Sequence, residues 1–179
     1  MREMTELKPR PVKVGGAAAW TFDGGPAVGD EAPAWALPDA GFRVWTSDEF
    51  KGRPVVLATL PTVETPAGKE TLGVLAAWAR ETPETEFLAV SVDAPFALAG
   101  ALDELRPPEN MRLLSAFRSP EFGMEWGTLL VEHPMMGLLA RAVFVVAADG
   151  RVAHAEVAGE VRDQPDWTAA RAALERRAE

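Results

Sequence analysis

The chain has 179 residues, 47% hydrophobic and 25% charged, the balance of a globular domain long enough to bury roughly 70% of its unfolded surface. Its formal net charge of -9, with no basic block to offset it, argues against nucleic-acid and anionic-membrane partners. It contains no cysteine, which excludes disulfides, thiolate metal sites and cysteine nucleophiles.

One domain over residues 1–179 is expected, with residues 1–28 as an N-terminal hairpin extension. The opening "MREMTELKPRPVKV" has no apolar core segment, so no signal peptide is expected and the cytoplasm is the default location. Apolar runs fall far short of a membrane span. "VKV" and "AAAWTF", broken by Gly15-Gly16 and Gly24-Gly25, predict the hairpin. "GDEAPAWALPDAG" reads as an extended, Pro-rich connection. In "FRVWTSDEFKGRP", Asp48, Glu49 and Phe50 predict a short helical turn after Ser47.

"PVVLATL" is short, apolar and β-rich, and predicts a buried strand. Thr65-Pro66 then opens a helix: the threonine hydroxyl suits the cap, and proline suits the first helical position. Leu72, Leu75, Ala76 and Ala79 repeat at helical spacing and predict a buried face. Thr82 and Pro83 close the helix. "EFLAVSV" is the next strand, and "DAPFALAGALDEL" a helix from near Pro95. "MRLLSAF" follows as a strand, "SPEFGMEWG" as a short helix begun by Ser119-Pro120. Leu138 to Ala147 reads as one long strand, turned by Ala148-Asp149-Gly150 into "RVAHAEVA". A closing helix is expected in "DQPDWTAARAALERR", capped near Asp163. Strands alternating with helices and ending in a hairpin predict an α/β fold with a mixed central sheet flanked by helices, of thioredoxin-like type.

His133 and His154 cannot build a multi-histidine metal site, so no metal and no cofactor is expected. Glu64 and Glu70 flank the helix start; two acids there stabilise the helix in their own right, and an acid–base pair is the less favoured use. Arg141, inside an apolar strand, suggests a buried or interface ion pair. Met135-Met136 suit core filling or an adaptable contact surface. The six tryptophans, Trp20, Trp35, Trp45 and Trp126 among them, read as core and interface aromatics.

Four segments carry a resemblance: "PTVETPAG", "VSVDAPFALAGAL", "LLSAFRSPEFG" and "GLLARAVFVV". In this order and spacing, roughly from residue 10 to residue 175, the chain resembles the bacterial thiol peroxidases, the atypical two-cysteine branch of the peroxiredoxins. The resemblance implies that Pro61 matches the proline shielding the site. It implies that Thr65 matches the threonine that orients peroxide, and Arg118 the arginine that stabilises the thiolate. The peroxidatic cysteine falls on Gly68, and the resolving cysteine on or next to Leu102. Both sulfurs are gone. Such enzymes attack the O–O bond with a thiolate to give a sulfenic acid; glycine offers no nucleophile, and Thr65 has no evident base partner.

Two uses of the remnant site stand side by side. A helix N-terminus, a side-chain-free Gly68 and the Arg118 cation together would favour a small anion or carboxylate. Alternatively Thr65 is simply an N-cap, Gly68 a tolerated small residue, and Arg118 a surface partner of Glu64 or Glu70. Three readings of function follow. The first is an inactive paralogue acting as a binding or interaction protein in a redox or stress setting. The second is an enzyme with new chemistry at the Thr65/Arg118 pocket. The third is a regulatory partner of an active, cysteine-bearing paralogue. The resemblance also implies a homodimer formed through the face around the site, and the family label alone would name a thioredoxin-dependent antioxidant peroxidase.

Overall fold

The glycine pair near the N-terminus sets the first element. In the computed structural model, which describes residues 8–132 and 134–176, β1 (Pro11–Val14) pairs antiparallel with β2 (Ala17–Trp20). Gly15 and Gly16 between them have φ of 60° and 83°, the positive values that a two-residue hairpin turn demands and that L side chains resist. The turn is held from outside: the Glu160 carboxylate accepts the N–H groups of Gly15 at 3.0 Å and Gly16 at 2.9 Å.

The Pro-rich connection contributes a strand that its composition hides. β3 (Ala36–Pro38) pairs antiparallel with β4 (Val44–Thr46), and a 3-10 helix, Ser47–Phe50, follows where the helical turn is expected. Glu49 Oε1 accepts the N–H of Thr46 at 3.0 Å and secures its start.

The remaining elements alternate. They are β5 (Val55–Thr59), α1 (Pro66–Glu81), β6 (Glu86–Ser91), α2 (Pro95–Leu105), β7 (Met111–Ser115), α3 (Pro120–Glu125), β8 (Ala142–Val146), β9 (Val152–Val157) and α4 (Trp167–Glu175). The five later strands form one mixed sheet in the order β7-β6-β5-β8-β9. β5, β6 and β7 run parallel, as helical crossovers require; β5–β8 and β8–β9 are antiparallel.

Because side chains alternate along a strand, the sheet divides the core in two. Val56, Ala58, Phe87, Ala89, Val143 and Val145 face α1 and α4, meeting Leu72, Leu75, Ala76, Trp78 and Ala170. Val55, Leu57, Leu88, Val90 and Phe144 face the other way, toward Val12, Leu37, Phe50, Phe122 and Trp126. β5 and β6 are buried on both faces, which explains the continuous apolar residues Val55–Ala58 and Phe87–Val90.

Two expected boundaries need correction. The strand read as Leu138 to Ala147 is regular only over Ala142–Val146. β5 ends at Thr59, opposite Ala142, so residues before 142 have no β5 partner to pair with. They cross instead to the Thr128–Leu130 segment: Ala140 N–H donates to Thr128 O at 2.7 Å and Leu130 N–H to Leu138 O at 2.9 Å. The closing helix is capped not by Asp163 but by Asp166, whose carboxylate accepts Ala169 N–H at 3.0 Å. Pro165 disfavours helix at Gln164 and delays the start.

Candidate functional site

Of the residues expected at the site, Pro61, Thr65 and Gly68 lie where β5 gives way to α1. Leu60 and Pro61 are buried, and the chain then runs over the sheet's end to Thr65. Thr65 is the N-cap of α1: its backbone is extended, with φ -83° and ψ 156°, and its hydroxyl accepts Gly68 N–H at 3.1 Å. The cap is therefore satisfied within the helix.

Asp93, at the end of β6, fixes the loop before the cap. One carboxylate oxygen accepts the Thr62 hydroxyl at 2.8 Å. The other accepts Val63 N–H at 2.8 Å and the Ser91 hydroxyl at 2.7 Å. The Asp93 carbonyl accepts the Ser115 hydroxyl at 2.6 Å, tying in β7. Asp93 lies within "VSVDAPFALAGAL", a segment whose residue types alone give it no role. A carboxylate immediately after a buried strand was the available signal.

Gly68 is buried, and the space beside it is filled. A Cβ built there would lie 2.2 Å from the Thr62 carbonyl oxygen and 3.3 Å from Thr65 Oγ1. The expected open anion pocket is thus corrected on two counts. The missing side chain leaves no room, and the group that fills its place is a hydrogen-bond acceptor, which repels an anion.

Arg118 is exposed in the turn after β7, and among the described residues it makes no hydrogen bond or ion pair. Neither the contact with Thr65 and Gly68 nor the pairing with Glu64 or Glu70 is formed. The arginine that reaches the start of α1 is Arg141. It is 2% exposed. Its Nη1 donates to Thr71 Oγ1 at 2.5 Å and to Ala67 O at 3.2 Å, and its Nε to Val161 O at 3.3 Å. The ion pair expected for it is absent among the described residues. Burial draws the guanidinium pKa below its ordinary value, and the Glu70 carboxylate offsets this in part. Gln164 completes the cluster, donating to Ala67 O at 3.1 Å and lying 3.0 Å from the Thr71 hydroxyl.

Leu102 is half-buried on α2 and packs against the helix-side core. Near the positions matched to the two cysteines, Lys69 and Glu104 form an ion pair of 2.7 Å that ties α1 to α2. Glu104 raises the Lys69 pKa through this hydrogen bond and its charge. Glu64 is exposed and Glu70 lies 3.4 Å from Gln164 Nε2, with no hydrogen bond between the two acids. No group of three or more His, Cys, Asp or Glu residues converges on a metal position among the described residues. His133 lies outside them; His154 Nε2 is 3.5 Å from Glu156. Met135 packs on the core, whereas Met136 is 54% exposed beside the same loop. No described helix is long and apolar enough to cross a membrane.

Comparison with known proteins agrees with this architecture. The family model described as Redoxin matches residues 27–174. The thiol peroxidase of Mycobacterium tuberculosis is 40% identical over 152 residues, covering 83% of this chain and 88% of that protein. The thiol peroxidase of Corynebacterium glutamicum is 37% identical over 149 residues, covering 83% and 89%. Among solved structures, a thiol peroxidase from Chromobacterium violaceum superposes with a TM-score of 0.85 at 26% identity, over 93% of this chain and 95% of that one. A peroxiredoxin-like protein from Aquifex aeolicus gives 0.87 at 23% identity, over 93% and 96%, and supports the thioredoxin-like peroxiredoxin fold. With a mixed five-stranded sheet, an N-terminal hairpin and no sulfur at Gly68 or Leu102, the chain belongs to the redoxin family, as a divergent bacterial thiol peroxidase that lacks cysteine altogether.

Proposed function

We propose that this protein has no thiol peroxidase activity and serves as a binding or interaction protein in a redox or stress setting of the cytoplasm. The observation that carries this reading is Gly68: the residue matched to the reactive cysteine has no side chain, and the Thr62 carbonyl stands in its place. Peroxide reduction on this scaffold needs a thiolate that ends as a sulfenic acid, and no residue here supplies one. Chemistry at a Thr65/Arg118 pocket has no support, since Arg118 is exposed and Thr65 is occupied as a cap.

The exposed apolar side chains favour interaction. Phe96 is 77% exposed and Phe42 53%, and their rings meet edge-on at 5.2 Å. A homodimer through this face is the partner the proposal names first. A mixed dimer with an active, cysteine-bearing relative is the second, because the same aromatic pair would serve both. The test is coupled turnover of hydrogen peroxide and cumene hydroperoxide with thioredoxin and its reductase, beside light scattering on the eluting species. The proposal expects no turnover and a dimer that Phe96→Asp converts to a monomer. Thioredoxin-dependent turnover overturns it; a monomeric parent overturns the homodimer.

A further inference from the structure

A cleft of about 340 Å³ opens beside the turn that carries Met136. Val92, Phe117, Leu129, Leu138 and Leu139 line it together with Met136, and no charged residue does. The turn is pinned by its backbone: Leu138 N–H donates to Met135 O at 3.1 Å, Gly137 N–H to Leu130 O at 2.9 Å, and Leu130 N–H to Leu138 O at 2.9 Å. Met136 therefore stands at the lip of the cleft, one side chain touching an apolar wall and water at once, with 54% of its surface exposed.

Sulfur chemistry decides what this residue can do. The chain has six methionines and no cysteine, so every sulfur that a hydroperoxide can oxidise here is a thioether. Met111 is 4% exposed, Met124 and Met135 are half-buried against the sheet core, and Met1 and Met4 lie outside the described residues. Among the described methionines, Met136 is the one open to solvent. Oxidation to the sulfoxide is reversible and turns a flexible apolar side chain into a polar one. Of the side chains lining the cleft, Ser119 alone carries a hydrogen-bond donor, and a strong acceptor held against apolar walls costs free energy that contact with water removes.

We propose that Met136 is a reversible oxidation site, and that its sulfoxide withdraws from the cleft into water, so that a hydroperoxide sets the composition of the cleft wall. A sulfur lone pair attacks one peroxide oxygen; the S–O bond forms as the O–O bond breaks, and the second oxygen leaves as water, or as an alcohol from an alkyl hydroperoxide. Sulfur loses two electrons and the peroxide gains them. A methionine sulfoxide reductase reverses the step, two thiols becoming a disulfide while the oxygen leaves as water. The test treats the full-length protein with hydrogen peroxide and maps oxygen uptake at each methionine by fragment-ion mass spectrometry. Met136 is expected to oxidise at the rate of free methionine, and Met111, Met124 and Met135 about fivefold more slowly or less, following exposure. A pair of reductases, one for each sulfoxide epimer, should then restore the parent mass at Met136. Nuclear Overhauser contacts from the Met136 methyl group to the leucine methyls of the cleft should be present in the thioether, lost in the sulfoxide and regained on reduction. Met136→Gln, which places a polar side chain there without oxidant, should give the same leucine methyl shifts as oxidation. Oxidation of Met124 or Met135 as fast as Met136, a sulfoxide that the reductases leave untouched on the folded protein, or contacts retained in the sulfoxide overturns the proposal.

Discussion

Replacing Gly68 by alanine should destabilise the protein, although the same change inside a helix ordinarily stabilises. The ordinary gain is about 1 kcal/mol, from lost freedom in the unfolded chain and better helix propensity. Gly73, in the same helix, shows the unobstructed case: nothing lies within 4 Å of a Cβ built there. At Gly68 the added carbon meets the Thr62 carbonyl oxygen at 2.2 Å, more than 1 Å inside ordinary contact. The oxygen belongs to backbone that Asp93 holds at 2.8 Å through both the Thr62 hydroxyl and Val63 N–H. It yields only if those bonds lengthen, and such overpacking costs about 1–3 kcal/mol. The expected net is a loss of about 1–2 kcal/mol for Gly68→Ala, from the overpacking cost less the part of the helix gain that survives. Gly73→Ala should gain about 0.5–1 kcal/mol. Urea unfolding of the parent and both variants, at unchanged m-value, reads the difference directly. Equal stabilisation by the two substitutions would refute the claim that the loop fills the cysteine position.

Three further outcomes follow from the same geometry. Asp93→Ala removes the acceptor of the loop and should cost about 2–3 kcal/mol in urea unfolding, as charged hydrogen bonds do, with amide exchange accelerated first at Val63 and Glu64. Arg141→Ala takes the guanidinium donor from the buried Val161 carbonyl and from Thr71 Oγ1, while Ala67 O keeps the Thr71 hydroxyl and Gln164, and should cost about 2–4 kcal/mol, whereas Arg118→Ala, at an exposed position, should change stability by less than about 0.5 kcal/mol. Burial pushes the Glu160 pKa up, but the N–H groups of Gly16, Gly15 and Arg162 and the Arg162 charge outweigh it and hold the carboxyl below its ordinary value. Its contribution is complete above the unfolded glutamate range and is lost as pH falls through the lower folded value. The protection factors of the Gly15 and Gly16 amides, taken against the intrinsic exchange rate at each pH, should therefore fall in acid, and Glu160→Gln should flatten that dependence.

The sheet and α1 were legible because their signals are local. β5 and β6 each carry an apolar run, Val55–Ala58 and Phe87–Val90, and Thr65-Pro66 carries its own capping chemistry. β3 was hidden because three residues with a terminal proline make too short a pattern. The candidate site was legible in its sequence positions but not in its contacts. Arg118 and Arg141 both sit in segments that carry the resemblance, and only tertiary packing decides which one reaches α1. An arginine inside an otherwise apolar run was the clue to burial, and its partners proved to be carbonyls and a hydroxyl rather than a carboxylate. The Thr62 carbonyl could not be foreseen, because the direction of a loop peptide leaves no trace in residue types. The cap of the closing helix falls on Asp166 rather than the expected Asp163, because Pro165 keeps Gln164 out of the helix.

The most direct measurement of the central claim is single-turnover decay of hydrogen peroxide mixed with stoichiometric protein, without any reductant, in a stopped-flow instrument. The scheme does not depend on choosing the right electron donor. The account predicts decay no faster than that given by free methionine at the concentration of the six methionines in the chain. A rapid stoichiometric phase, with the intact mass raised by one oxygen away from methionine, would contradict it.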